Sequence, residues 1–168
     1  MATTFENQEE IERQLAKARK TIKYSTNDYP ISYLVEHNLD PGYRYLDSTQ
    51  ETASNRNHKW SESQKEQYIS SILLDQPLTP LYLARDDQTS NDKSLLIIDG
   101  AKRIEALTDF MTNKLAFEHF LAVPALKGMR FNDLPVSEKE RFNDMSLRVI
   151  VLENPSLELC NTLYCEFN

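Results

Sequence analysis

The chain has 168 residues, 40% of them hydrophobic and 10% aromatic, a composition that suits one globular domain with a real core and excludes an intrinsically disordered chain. A net charge of -7 and a pI near 5.0 argue against a general nucleic-acid-binding surface, because phosphate-backbone affinity comes chiefly from clustered Lys and Arg, while a local basic pocket stays open. No run approaches the length of a membrane span and the N-terminus, MATTFENQEE, lacks the basic and apolar regions of a secretion signal, so no membrane contact and a cytoplasmic location are expected.

Glu9 to Lys20 predicts a helix rich in charge, with Ile11, Leu15, Ala18 and Ile22 spaced four, three and four apart as a thin apolar seam. Packing of that seam on the domain is the expectation, with a partner chain as the alternative. Ile22 to Tyr24 predicts a short strand, and Ile31 to Glu36, after Pro30, a short helix that ends before the turn at Asp40-Pro41-Gly42. Tyr43 to Leu46 predicts another strand. Residues 47–59 are polar and aperiodic, as in a long surface loop with a function of its own.

Ser61 and Gln64 form a capping box that starts a helix, with Tyr68, Ile69, Ile72 and Leu73 as its apolar face and Pro77 as its stop. Leu81 to Leu83 predicts a strand, joined through the polar segment Arg85 to Lys93 to the next strand as a hairpin with a long loop. Leu115 to Phe117 is ambiguous. After Lys127-Gly128, Ser137 and Glu140 predict a second capping box over a short helix, and Leu147 to Leu152, with Arg148 as its only charge, predicts a strong strand. Asn154-Pro155 starts a last helix with Cys160, Leu163, Tyr164 and Phe167 on one face. Without a terminal glycine or basic last turn, that helix suits either one part of a longer architecture or a short version of it.

The most informative stretch is Ser94 to Phe110, SLLIIDGAKRIEALTDF. Leu95, Leu96, Ile97 and Ile98 make a continuous apolar run, the pattern of a strand covered on both faces. From Ala101 the spacing of Ile104, Leu107 and Met111, with Phe110 alongside, lays one apolar stripe along a helix. The turn between them, Asp99-Gly100, can receive an anion, because a glycine admits close approach and the first N–H groups of a helix have no partner within it. Lys102 and Arg103 fall in the first helical turn, where the helix dipole disfavours cations unless something negative lies near. The competing reading makes Asp99 an ordinary N-cap, Gly100 a turn residue and both basic side chains solvated.

Cys160 and Cys165, five apart and about 140° around a helix, cannot readily bridge each other. His37, His58 and His119 are scattered, and no zinc or calcium motif occurs, so a structural metal site is not expected. The whole pattern, with no internal repeat or low-complexity linker, predicts a mixed α+β fold with a small sheet.

Several blocks in order carry a family resemblance. They are Asn55-Arg56 with Trp60 four further on, SESQKEQYISSILLDQPLTPLYL, IIDGAKRIEAL, LKGMRFNDLP, LRVIVLE and LYCEFN. Together they resemble the N-terminal domain of GmrSD-type modification-dependent restriction proteins, whose defining motif is DGQQR. The resemblance covers roughly residues 31–168 and places the chain in the wider ParB and sulfiredoxin-like superfamily, which shares a glycine, two variable residues and an arginine at a strand-to-helix turn; Gly100 and Arg103 match. It implies a small mixed sheet flanked by helices, with residues 1–30 as an N-terminal helix and lead-in strand and residues 31–168 as one nucleotide-binding domain without a C-terminal nuclease. In larger relatives such a domain couples nucleoside triphosphate binding or hydrolysis to a separate nuclease that attacks modified DNA, as in defence against phage.

By position, Asp99, Gly100 and Arg103 match the family motif, while Ala101 and Lys102 replace its two glutamines. Asn55-Arg56 and Trp60 match a block that has Gln where this chain has Asn55, and Glu166 stands where the family has an arginine. The resemblance therefore implies a nucleotide site of Arg56, Trp60, Gly100, Ala101, Lys102 and Arg103, with the base unspecified. Asp99 and Arg103 are the catalytic candidates, and Asp99 the candidate ligand for Mg²⁺. Arg56 and Arg103 suit a bidentate clamp on phosphate oxygens, and Lys102 adds a point charge. Ala101 can neither orient water nor donate a hydrogen bond, so any Mg²⁺-dependent triphosphatase activity is expected to be weak. The cysteine of sulfiredoxins falls at Ala101, which sets that chemistry aside.

Three functions stand at this point. They are a nucleotide-binding domain, a noncatalytic interaction or inhibitor protein derived from the same family, and, last, a ParB-like DNA-binding module, which the net charge of -7 disfavours. The alternative of a protein partner or a second copy applies to the N-terminal or the C-terminal helix.

Overall fold

In the computed structural model, which describes residues 2–19, 22–39, 43–45, 59–85, 95–119 and 122–167, the apolar runs become the centre of a mixed sheet. Its strands are β1 (Tyr24–Pro30), β2 (Tyr43–Tyr45), β3 (Leu81–Arg85), β4 (Leu95–Asp99) and β5 (Ser146–Glu153). They lie in the order β1-β5-β3-β4-β2. β3 and β4 pair antiparallel, as the hairpin reading expects, while β3 and β5 run parallel, as do β2 and β4. β1 closes the other side by pairing antiparallel with β5, from Tyr24 opposite Leu152 to Pro30 opposite Ser146.

Helices cover the sheet unequally. Around one face gather α2 (Ile31–Leu39), α3 (Glu62–Leu73), α4 (Ala101–Met111) and α5 (Val136–Asp144). Their Ile31, Leu34, Ile69, Ile72, Ile104, Leu107, Phe110 and Phe142 meet Leu81, Leu83, Leu95, Ile97, Leu147, Val149 and Val151 of the sheet in the main core. Leu115 and Phe117, the ambiguous run, are buried there without being a strand, and Phe117 meets Phe110 edge-on at 5.3 Å between centroids. On the reverse face, α6 (Leu157–Phe167) buries Cys160 against Ala84, Ile98 and Leu152. Cys165 is exposed and both thiols are free, as their spacing requires. The result is an α+β fold built around a small mixed sheet, in keeping with the sequence reading.

Local sequence explains the ends of the elements. The Ser61 hydroxyl accepts the N–H of Gln64 at 3.3 Å and the Gln64 side chain accepts the N–H of Ser61 at 2.9 Å, the reciprocal box expected at the start of α3. α3 and α4 end without glycine. Asp75 and Asn113, two residues past each helix, take positive φ of 55° and 61°, a conformation that short polar side chains tolerate.

Three expectations are corrected. The first strand is not Ile22 to Tyr24 but Tyr24–Pro30, a polar segment that pairs on one side only and so carries no apolar alternation to reveal it. The second box, Ser137 with Glu140, does not form, because α5 begins at Val136 behind Pro135, so Ser137 is already inside the helix and has no cap geometry. Third, α1 (Ala2–Arg19) does not lay its seam on the domain, since Ile11 is 56% exposed and Leu15 46%.

Candidate functional site

The sheet brings β4, its turn and the start of α4 to one end, beside the beginning of β3. Gly100 makes the turn with φ 108°. A Cβ there would lie 2.3 Å from Leu81 Cδ2 and 3.4 Å from Arg103 Nη2, so both the backbone angle and the packing call for glycine. Gly100 is also the N-cap of α4 and brings no side-chain hydrogen bond. The N-cap reading of Asp99 is thereby corrected: Asp99 is the last residue of β4, and its carboxylate turns to Arg103.

Arg103 is buried. Its Nη2 donates to Asp99 Oδ2 at 2.6 Å, and its Nη1 donates to the carbonyl of Thr79 at 2.7 Å, to Thr79 Oγ1 at 2.8 Å and to the carbonyl of Pro80 at 3.1 Å. The two side chains of the pair are only 9% and 19% exposed. The guanidinium thus ties the β4–α4 turn to the segment that leads into β3, and its planar fork suits several acceptors at once. A solvated Arg103, one part of the competing sequence reading, is excluded. The contacts with Thr79 and Pro80 join residues far apart in the chain, and nothing in the local pattern of QPLTPLYL announces them.

Lys102 is the basic residue left over. It is half-buried in the first turn of α4, and among the described residues its ammonium has no hydrogen bond or ion pair. Ala101 packs against the main core, so its methyl group has a packing role that a glutamine would have to accommodate. Trp60, ahead of α3, meets Tyr68 edge-on at 5.6 Å between centroids. Burial pushes the Tyr68 phenol up to about 12, against the opposing charge of Arg103, so Trp60, Tyr68 and Arg103 form one neighbourhood. Arg56 and Asn55 lie outside the described residues. β2 runs parallel to β4 with Tyr45 opposite Ile97, and therefore ends on the side of the sheet where Asp99 lies. Glu166 is exposed on α6 with Glu158, Thr162 and Cys165, and among the described residues no hydrogen bond or ion pair links it to the turn.

Two polar links lie behind the turn. Lys65 Nζ reaches Glu105 at 2.7 Å and Asp109 at 2.6 Å, pinning α3 to α4; burial works against its charge, yet the two carboxylates outweigh that and raise its pKa. The carboxylate of Glu66, also buried, accepts the backbone N–H of His119 at 2.6 Å. Neither link was legible in the sequence, since Glu66 looks like any charged residue of an amphipathic helix. Among the described residues no three His, Cys, Asp or Glu side chains gather where they would hold a metal ion, and no helix is long and apolar enough to cross a membrane.

The fold and the site define a mixed-sheet α+β domain whose glycine strand-to-helix turn is braced by an Asp–Arg pair and carries a half-buried lysine at the helix start. Residues 55–163, well over half of the chain, match the family described as the GmrSD restriction endonuclease N-terminal domain, and the chain belongs to that family. It is therefore a domain of the restriction-system kind. No curated protein matches it.

Proposed function

We propose that the domain binds a nucleoside triphosphate, with the phosphates at the start of α4. The observation that carries this reading is the Lys102 ammonium in the first turn behind Gly100, which has no hydrogen bond or ion pair among the described residues. A cation there opposes the helix dipole, at a cost of a few tenths to about 1 kcal/mol, and an anion seated on the same turn reverses the sign. In this reading Lys102 and the first N–H groups of α4 hold phosphate, while Arg103 fixes the turn through Asp99, Thr79 and Pro80 and adds its charge from behind. By the resemblance of the Asn55-Arg56 and Trp60 block to the family, Trp60 and Arg56 belong to the same site, Arg56 lying outside the described residues.

Mg²⁺ fits such a site in a limited way. It is usually bound by one or two carboxylates together with phosphate oxygens rather than by an all-protein cage, and Asp99 supplies one carboxylate, of which Oδ2 is engaged by Arg103. The ion would add charge neutralisation at the phosphates.

Binding is tested by calorimetry and by thermal shift with a panel of nucleoside triphosphates, with and without Mg²⁺. Ligand at about a hundred times its dissociation constant stabilises the fold by about 2.7 kcal/mol. Lys102→Glu, which breaks no hydrogen bond or ion pair among the described residues, should weaken binding at least tenfold while the melting point of the free protein holds or rises, because a carboxylate suits the start of a helix. Failure of every nucleotide to bind, or equal binding by Lys102→Glu, rejects the reading. It would leave the second one, an interaction domain without nucleotide chemistry, which the internal saturation of Arg103 favours.

A further inference from the structure

We infer that α1 is a self-association element, which pairs antiparallel with α1 of a second copy of this chain. The inference is independent of nucleotide binding. Residues Ile11 to Arg19 of this helix are all exposed, and an isolated helix of this length is marginal in water, because most helical stability in proteins comes from packing an apolar face. Of the large hydrophobic side chains left exposed, Ile11, Leu15, Ile22 and Tyr24 follow one another along this N-terminal stretch, ahead of the residues 55–163 that define the family. A strip of that kind marks a contact surface.

The charges say what covers it. Glu9, Glu10 and Glu12 lie ahead of Arg13, Lys17 and Arg19 along the helix. A parallel copy would set like charge on like. An antiparallel copy sets the acidic half of each helix on the basic half of the other. Within α1 the spacing of Ile11, Leu15 and Ala18, four and then three, is that of alternating core positions in a two-helix pair. In the antiparallel register Leu15 packs on Ala18 of the second copy, and the flanking position pairs Glu12 of each chain with Arg19 of the other. Glu10 already accepts from Arg13 and Gln14 within its own helix, whereas Glu12 and Arg19 carry no ion pair among the described residues. They are the charges this pairing uses.

The test is sedimentation equilibrium of the full chain over a wide concentration range, with circular dichroism as the check on folding. A reversible dimer of the 19.5 kDa chain is expected. Leu15→Asp should abolish it. Glu12→Arg alone and Arg19→Glu alone each set like charges at both symmetric positions and should weaken the dimer about tenfold. The decisive sample is the mixture of those two variants, in which each Arg at position 12 faces a Glu at position 19 and each native Arg19 faces a native Glu12, so dimer affinity should return. A monomer at every concentration overturns the inference and leaves the face to a different protein. A dimer insensitive to Leu15→Asp, or single charge reversals without rescue in the mixture, overturns the antiparallel pairing.

Discussion

Removing Arg103 should damage the fold before it says anything about ligands. In Arg103→Ala, Asp99 loses its partner, the carbonyls of Thr79 and Pro80 lose their donor, and the space under the turn is left unfilled. Breaking a buried ion pair from one side costs about 3–5 kcal/mol, because the surviving charge stays desolvated. For a domain of this size each kcal/mol lowers the melting temperature by about 2–4 °C, so a fall of about 6–20 °C is expected. Asp99→Ala should cost somewhat less, since the guanidinium keeps its carbonyl acceptors. The measurement is a double-mutant cycle by urea denaturation, in which Asp99→Ala with Arg103→Ala should be less destabilised than the sum of the single variants by about 1–3 kcal/mol. A loss below about 1 kcal/mol for Arg103→Ala, or strict additivity, would refute the clamp and return Arg103 to the role of a ligand-facing side chain.

Three other outcomes follow from the same geometry. Gly100→Ala combines a positive φ with a Cβ 2.3 Å from the buried Leu81 and should lose about 2–5 kcal/mol, part of it recovered in the pair with Leu81→Ala; an unchanged denaturation midpoint would contradict the strained turn. Tyr68, with its folded pKa raised from 10.0 to about 12, supports the fold fully below pH 10 and loses that support as pH rises towards 12, so stability should decline across this window in the native chain and stay flatter in Tyr68→Phe, with tyrosinate absorbance as the second readout. Turnover should be slow even where nucleotide binds, and Ala101→Gln with Lys102→Gln should raise phosphate release while affinity stays within about tenfold, or 1.4 kcal/mol; brisk Mg²⁺-dependent release by the native chain, abolished in Lys102→Glu, would show that the glutamines are dispensable.

The β4–Gly100–α4 unit was legible because two periodicities meet there, a continuous apolar run and then a helical stripe, with a glycine between them. The Ser61–Gln64 box was legible for the same reason: cap chemistry is local. β1 was not, since an edge strand such as YSTNDYP leaves most of its side chains in water. The role of Arg103 was half legible. Its distance from Gly100 marks it as a motif residue, but its direction depends on Thr79 and Pro80, which only the hairpin brings alongside. Lys102 and Arg103 are neighbours of like charge in the sequence, and the rotation of one residue around the helix sends one into the protein and leaves the other uncommitted. The seam of α1 misled because its spacing is the same whether a helix packs on its own domain or on another chain.

The two thiols of α6 turn the reverse face of the sheet into something that can be timed. Burial under the helix pushes the Cys160 thiol up, while Cys165, five residues on, stands in solvent. A thiol reagent reacts through the thiolate and needs access, so Cys165 should be modified at once and Cys160 only when α6 lifts from Ala84, Ile98 and Leu152. The interval between the first and the second label then clocks the opening of one helix.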